Sequence, residues 1–338
     1  MKQKLLSICV PNFNQGEALL LNIANLKSLG ESSQVEILIS DNGSDEISSI
    51  ESLQTAAHEI PNVRIFTGSA RIGLGNEWFS GFGANVDRLI SQSFGDYIWI
   101  IGAGDLIKLS SLPAILRLLE TGSFQNILLQ SDIYVDFRDP KIDEYNLSRP
   151  LIGFMAKEKM VSDRVMPYFS HSISSNITQR QVLTNSNSVG YFQDSWPHVE
   201  KYMNFIGECE KFQVCELSPP ILLVHQPIDG WFTKSTAIDT YLSLGLLYSH
   251  FIAIDPDAFE DFFPELFRNR ILKVVSMIVH LRILSRRSPG ISEPKVKEIS
   301  KDITVLRRLY FYTALRVPHV ALRLFRIFNS NLMRFQGR

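Results

Sequence analysis

Apolar and polar positions along the chain alternate between two rhythms. Short runs rich in β-branched and aromatic residues cover 5–10, 35–40, 63–66 and 97–101, and the stretches between them carry apolar residues at helical spacing. Continuous apolar runs separated by amphipathic stretches predict parallel strands covered by helices on both faces. The first helix is marked by Asn14 as cap, Glu17 three residues on, an apolar face of Ala18, Leu19, Ile23 and Leu26, and Gly30 at its end. The same spacing predicts helices over 45–58 and 76–93, the second entered through Gly73 and Gly75. After Ile101 come Gly102-Ala103-Gly104-Asp105, a helix opened by Ser110, Ser111 and Pro113, and two strand-like runs at 126–130 and 133–137. The polar, proline-containing stretch 138–150 reads as a loop. From about Asp239 the pattern is helical, interrupted by the linker Arg286-Arg287-Ser288-Pro289-Gly290.

Composition narrows the class. The chain has 338 residues, of which 45% are hydrophobic and 20% charged, enough for one large domain or two modest ones. Its formal net charge of -1 argues against a nucleic-acid partner. Cys9, Cys209 and Cys215 have no paired spacing, which supports neither a disulfide framework nor a zinc knuckle and fits a reducing cytoplasm. The apolar stretch before Pro11 is too short for a signal peptide and reads as the first strand. The longest apolar stretches, 242–254 and 271–281, fall short of the ~18 to 20 residues of a membrane span, and no crossing is expected. After Asp302 the sequence carries Arg307, Arg308, Arg316, Arg323, Arg326, Arg334 and Arg338 and no acid, interleaved with Leu309, Tyr310, Phe325 and Phe328. Two readings of this tail stand: peripheral contact with an anionic membrane on the cytoplasmic face, or helices packed on the protein with arginines reaching outward.

In open parallel sheets, ligands bind beyond the carboxyl ends of the strands. Here those ends are polar: Pro11-Asn12-Phe13-Asn14, then Asp41-Asn42-Gly43-Ser44-Asp45, then Arg71-Ile72-Gly73-Leu74, then Asp105. Each loop alone reads equally as turn and cap residues; their co-occurrence points to a site. It is not the glycine fingerprint of a dinucleotide-dependent dehydrogenase, because Pro11-Asn12-Phe13-Asn14-Gln15-Gly16 lacks the glycines that let a pyrophosphate approach the backbone.

The runs Leu6-Ser7-Ile8-Cys9-Val10-Pro11-Asn12-Phe13-Asn14, Val35-Glu36-Ile37-Leu38-Ile39-Ser40-Asp41-Asn42-Gly43-Ser44 and Gly95-Asp96-Tyr97-Ile98-Trp99-Ile100-Ile101-Gly102 match, in order and spacing, strand-end motifs of the family 2 glycosyltransferases. The chain resembles that family well over 1–110 and loosely beyond, and most resembles the bacterial, abequosyltransferase-like branch of surface polysaccharide assembly. The resemblance implies a GT-A fold of α/β class, a mostly parallel sheet flanked by helices. Residues 1–235 would form the transferase domain, with 1–110 its nucleotide-sugar-binding half and 111–235 its acceptor side, and 236–338 a helical C-terminal extension. It implies transfer of a sugar, with inversion, from a nucleoside diphosphate sugar to a glycan or lipid-linked glycan. Pro11, Asn12, Asn14, Asp41, Asn42, Ser44, Arg71 and Gly73 would border the nucleotide, the Asp41 carboxylate accepting from a base N–H. Arg71 reads equally as a solvated loop charge.

Asp105 takes the last position of the family's acidic motif, where it would ligate Mn2+ or Mg2+. Commonly acidic neighbouring positions are Ala103 and Gly104 here, which leaves three readings: a weakened metal site, metal-independent transfer, or a degenerate module acting as partner of another transferase. Asp194 is the candidate general base, with His198 in reserve and Trp196 as a stacking face; Asp194 reads equally as a helix cap before Pro197. Ser174-Ser175-Asn176-Ile177 with Arg180 resembles the acceptor-side strand, and His225, with Asp229-Gly230-Trp231, is a candidate lid or metal ligand against the plainer reading of a structural histidine.

Overall fold

The structure is a computed structural model and describes residues 4–68, 82–134, 155–161, 173–184, 198, 201, 202, 204, 205 and 212–225. The chain divides into two compact units, Met1–Ile228 and Asp229–Arg338, and every described residue lies in the first. The expected C-terminal helices and basic tail lie outside the described residues.

Four apolar runs become β1 (Leu6–Asn12), β2 (Val35–Asp41), β3 (Arg64–Thr67) and β4 (Tyr97–Ile100). Between them lie α1 (Gly16–Gly30), α2 (Ile47–Glu59) and α3 (Phe82–Gln92). Then follow β5 (Leu106–Ile107), a 3-10 turn (Leu109–Ser111), α4 (Leu112–Glu120), β6 (Asn126–Tyr134) and β7 (Met155–Val161). A second 3-10 turn (Ile173–Ser175) leads into β8 (Asn176–Gln179), α5 (Arg180–Thr184) and β9 (Phe212–His225).

The strands form one sheet in the order β3-β2-β1-β4-β8-β6-β9-β5, with β7 also paired to β9. Pairing is parallel from β3 to β4; β8 then joins β4 antiparallel, β6 joins β8 antiparallel, β9 runs parallel to β6, and β5 and β7 run antiparallel to β9. The sheet is therefore mixed, parallel through β3, β2, β1 and β4 as expected and largely antiparallel beyond. The first half has helical crossovers, which parallel strands require, whereas the second half folds back on itself.

Alternation along β1 separates the two faces. Leu6, Ile8 and Val10 join Leu19, Ile23 and Leu26 of α1 and Ile115 and Leu119 of α4 in one core. On the other face α3 packs on β1 and β2, with Val86, Leu89 and Ile90 buried. At the amino end of the strands, buried Glu36 accepts from Ser7 Oγ (2.5 Å), Phe94 N (2.6 Å) and Arg64 Nη2 (2.9 Å), which ties β1, β2, β3 and the approach to β4 together. Arg64 stacks on Phe94 at 4.4 Å.

Two local expectations change. The residue at the start of α1 is Gln15, without a side-chain cap, because Asn14 adopts φ 49° and turns its amide to the next loop. There Asn14 Nδ2 donates to Asp45 Oδ1 (2.7 Å) and its Oδ1 accepts from Asp45 N (3.0 Å) and Glu46 N (3.3 Å), so it organises the entry to α2 instead. The expected run at 126–130 continues through Tyr134 as β6, with a register shift between Leu129 and Ser131, while 135–137 of the second expected run lie outside the described residues. Opposite the shift, β9 inserts Ser218-Pro219-Pro220-Ile221 between the paired residues Leu217 and Leu222. Proline cannot donate to a ladder, and a bulge is where a strand tolerates it.

Candidate functional site

The carboxyl ends of β1 and β2 meet in a buried polar knot. Asn12 pairs in register with Asp41, and Asn42 N donates to Asn12 O at 3.0 Å. Asp41, 4% exposed, accepts four bonds: from Asn12 Nδ2 (2.8 Å) and Ser44 Oγ (2.5 Å) on Oδ1, and from Gly43 N (3.1 Å) and Ser44 N (2.8 Å) on Oδ2. Those four fill the acceptor capacity of a carboxylate. Asp41 thus braces the loop after β2, and the base N–H expected on its carboxylate finds no free oxygen direction here. The Ser44 hydroxyl also accepts from Asn14 N at 2.9 Å, linking the loops after β1 and β2. Pro11 is buried beside Ser40 in the same register.

Asn85, which the sequence reading passed over, reaches from α3 to donate to Ser40 O (2.9 Å) and Asn12 O (3.2 Å). Amid this saturation, three buried amide oxygens, Asn12 Oδ1 and Asn42 Oδ1 at the strand ends and Asn85 Oδ1 on α3, have no hydrogen-bond partner among the described residues. A buried acceptor left unpaired costs about 1–3 kcal/mol, so two at a strand-end cleft point to a ligand that supplies donors.

Asp105 follows β4, the other neighbour of β1, and its carboxylate is held from two distant segments. Ser174 Oγ donates a short bond to Oδ2, and His225 N donates to Oδ1 at 2.8 Å. Burial pushes the Asp105 carboxyl above the usual carboxylate range, and the bonds from Ser174 and the His225 N–H draw it partly back. Gly104 is closely covered: a Cβ there would lie 3.0 Å from both Cβ and Nδ1 of His225. The imidazole of His225 therefore takes the space beside Asp105 that a larger residue at Gly104 would need.

The remaining candidates are dispersed. Arg71, Gly73 and Asp194 lie outside the described residues. His198 is 2% exposed and sets its ring edge-on to Tyr202 at 6.2 Å, the placement of a packing histidine; Tyr202 in turn bonds Thr178 of β8. Nearby Lys201 pairs with Asp87 of α3 at 3.2 Å.

The donor set fits a divalent cation in one way only. The Asp105 carboxylate accepts from Ser174 Oγ and His225 N, the Gly102 backbone lies against it, and the His225 side chain lies alongside. No group of three or more His, Cys, Asp or Glu gathers for a metal among the described residues. These side chains suit a cation that takes its other ligands from a diphosphate and water, not one caged by protein.

The family model described as "Glycosyl transferase family 2" matches residues 7–178, just over half of the chain. No curated protein sequence matches it. Among solved structures, S. aureus TarS 1–349 in complex with UDP aligns with TM-score 0.51 at 11% identity, covering 95% of this chain and 91% of that one. The mannosyltransferase PcManGT from Pyrobaculum calidifontis, in complex with GDP-Man and Mn2+, aligns with TM-score 0.52 at 12% identity, covering 95% and 83%. At such identity the likeness speaks for the fold, which is GT-A: an α/β mixed sheet flanked by helices. With the family's span running from Ser7 in β1 to Thr178 in β8, over more than half of the chain, the chain belongs to glycosyl transferase family 2.

Proposed function

We propose that this chain transfers a glycosyl unit, with inversion, from a nucleoside diphosphate sugar to a hydroxyl of a glycan or lipid-linked glycan in bacterial surface polysaccharide synthesis, in the manner of the abequosyltransferase-like branch. The observation that carries the donor site is the pair of unpartnered amide oxygens, Asn12 Oδ1 and Asn42 Oδ1, at the carboxyl ends of adjacent strands. The structural likeness to proteins bound to UDP and to GDP-Man supports the donor class. In this reading Asn12 and Asn42 face the nucleotide with Pro11, Asn14 and Ser44 around them, and Asp41 keeps their loop rigid. Asp105 and His225 hold a Mn2+ or Mg2+ ion, whose chemistry is to neutralise the diphosphate as it leaves. Asp194 remains the proposed general base on the acceptor side. The basic tail after Asp302 would bring the enzyme to an anionic membrane surface, where a lipid-linked acceptor is found.

A non-catalytic module that partners another transferase is the second reading, favoured by the absence of carboxylates at Ala103 and Gly104. Calorimetric titration with UDP, GDP, CDP and dTDP, each with and without Mn2+, separates them when followed by a donor-turnover assay. The expected result is binding of one nucleotide, tightened by Mn2+, with the tightening lost in Asp105→Ala. Binding without donor turnover on any acceptor would favour the partner module, and no binding would refute the donor site.

A further inference from the structure

Ser174 precedes β8 at 1% exposure, and both its carbonyl and its hydroxyl are committed. Trp99 Nε1 donates to its carbonyl at 2.7 Å, and Gly102 N donates to its Oγ at 2.9 Å. With the oxygen accepting from Gly102, the single hydroxyl hydrogen points to Asp105 Oδ2, where the bond is made. The second carboxylate oxygen is fixed by His225 N, from the end of β9. Asp105 is thus clamped between the turn before β8 and the end of β9, neither of which belongs to its own part of the chain.

We propose that Ser174 is a positioning residue whose hydroxyl aims the Asp105 carboxylate at a divalent cation. The inference rests on the reading of Asp105 as the cation-facing carboxylate and extends it to a residue 69 positions away in the chain. The need for such a residue follows from the sequence departure. Where several acids share a cation they orient one another, but Ala103 and Gly104 leave Asp105 without acidic neighbours in its loop, so its aim depends on its hydrogen bonds. A serine hydroxyl on a carboxylate can also brace a loop, as Ser44 does on Asp41, so what separates a positioning role from an architectural one is whether the loss on removing the hydroxyl depends on the metal. The Trp99 bond is to the Ser174 backbone and survives removal of the hydroxyl, although the Gly102 N–H loses its acceptor.

The test uses the full chain, with UDP and GDP as nucleotide probes, and measures Mn2+ affinity by calorimetry and by loss of the free-ion electron paramagnetic resonance signal. Ser174→Ala is expected to weaken Mn2+ binding about 10–100-fold, as loss of a metal ligand's hydrogen-bond partner does, while nucleotide affinity without metal stays within about twofold. Ser174→Thr, which keeps the hydroxyl, is expected to return Mn2+ affinity to within about threefold of wild type. Unchanged Mn2+ affinity in Ser174→Ala would overturn the proposal, as would an equal loss with and without metal, the mark of a structural role. Should Ser174→Ala fail to fold, Ser174→Cys, similar in size but a weak donor, must show the same selective Mn2+ loss or the proposal falls. If wild-type protein itself binds neither nucleotide nor Mn2+, the donor-site reading falls and this inference with it; wild-type binding with no Ser174 effect removes this inference alone.

Discussion

Asp41 and Asp105 stand beyond β2 and β4, the two strands that flank β1, and their surroundings give them opposite uses. With four donors from the ends of β1 and β2 on its oxygens, Asp41 is a loop brace; Asp105 is held instead from distant parts of the chain, by Ser174 and the His225 N–H. The same close reading bears on Gly104. Restoring an acid there by Gly104→Asp is not a simple gain of a ligand, because even its Cβ would sit 3.0 Å from the His225 ring. The expected outcome is no rise in Mn2+ affinity for Gly104→Asp alone and a loss for His225→Gly, but a double variant at least about tenfold tighter than His225→Gly, since removal of both the ring and its Cβ then admits the carboxylate. Calorimetry with the bound nucleotide measures all four corners; a tenfold gain in the Gly104→Asp single variant would show that the imidazole gives way freely. Elsewhere on β1, burial pushes the Cys9 thiol up to about 12 from an ordinary 9.0, with the hydrogen bond to Ser93 opposing the rise. Because the folded-state pKa is the raised one, stability is fully present below 9.0 and drains as pH climbs toward 12, where the unfolded chain sheds its thiol proton and the folded chain does not. Urea midpoints at about pH 8 and about pH 10.5 should therefore fall further for wild type than for Cys9→Ala. Equal falls would mean the thiol stays out of the alkaline transition.

Among the elements, α1 and α2 approach so closely that position 16 tolerates no side chain: a Cβ on Gly16 would lie 2.2 Å from Ser48 C and 2.4 Å from Ser49 N. Those atoms are helix backbone and cannot rotate away, so Gly16→Ala must spread the two helices. The expected cost is about 3 kcal/mol, read as a lowered urea midpoint with unchanged slope. A loss under about 0.5 kcal/mol would mean that the helices slide apart freely. The first four strands and the helices between them were legible from periodicity, because a strand buried on both faces is a continuous apolar run and its covering helices repeat at 3.6. What lay beyond that reach was long-range pairing. Antiparallel β9 brings Leu223 to Leu106 and so sets His225 beside Gly104 and Asp105, a proximity that no local pattern records. Ser174 reaches Asp105 the same way, ahead of β8: the resemblance marked a strand here, but no local pattern records its bond to a carboxylate 69 residues away. Asn14 carried a cap signature, yet a positive φ sent its amide to α2, since an asparagine can take that conformation and serve a different loop.

Over the whole chain the net charge of -1 conceals a strong asymmetry, with seven arginines and no acid after Asp302. On the proposal that the acceptor is lipid-linked, this asymmetry has a physical use. Each arginine held near an anionic surface contributes about 1 kcal/mol at physiological salt, and the interleaved Leu309, Tyr310, Phe325 and Phe328 add apolar insertion that salt does not screen. The full chain should float with vesicles containing about one third phosphatidylserine or phosphatidylglycerol and not with neutral ones. Raising ionic strength from about 0.1 M to about 1 M shrinks the screening length from about 10 Å to about 3 Å and should release most, though not all, of the bound protein. A chain ending at Asp302 should stay in solution while binding its nucleotide with unchanged affinity, because Asn12, Asn42 and Asp105 all lie in the first unit. Flotation that survives the deletion would place the membrane contact elsewhere, and nucleotide binding lost along with it would mean that the arginines serve the fold of the transferase instead.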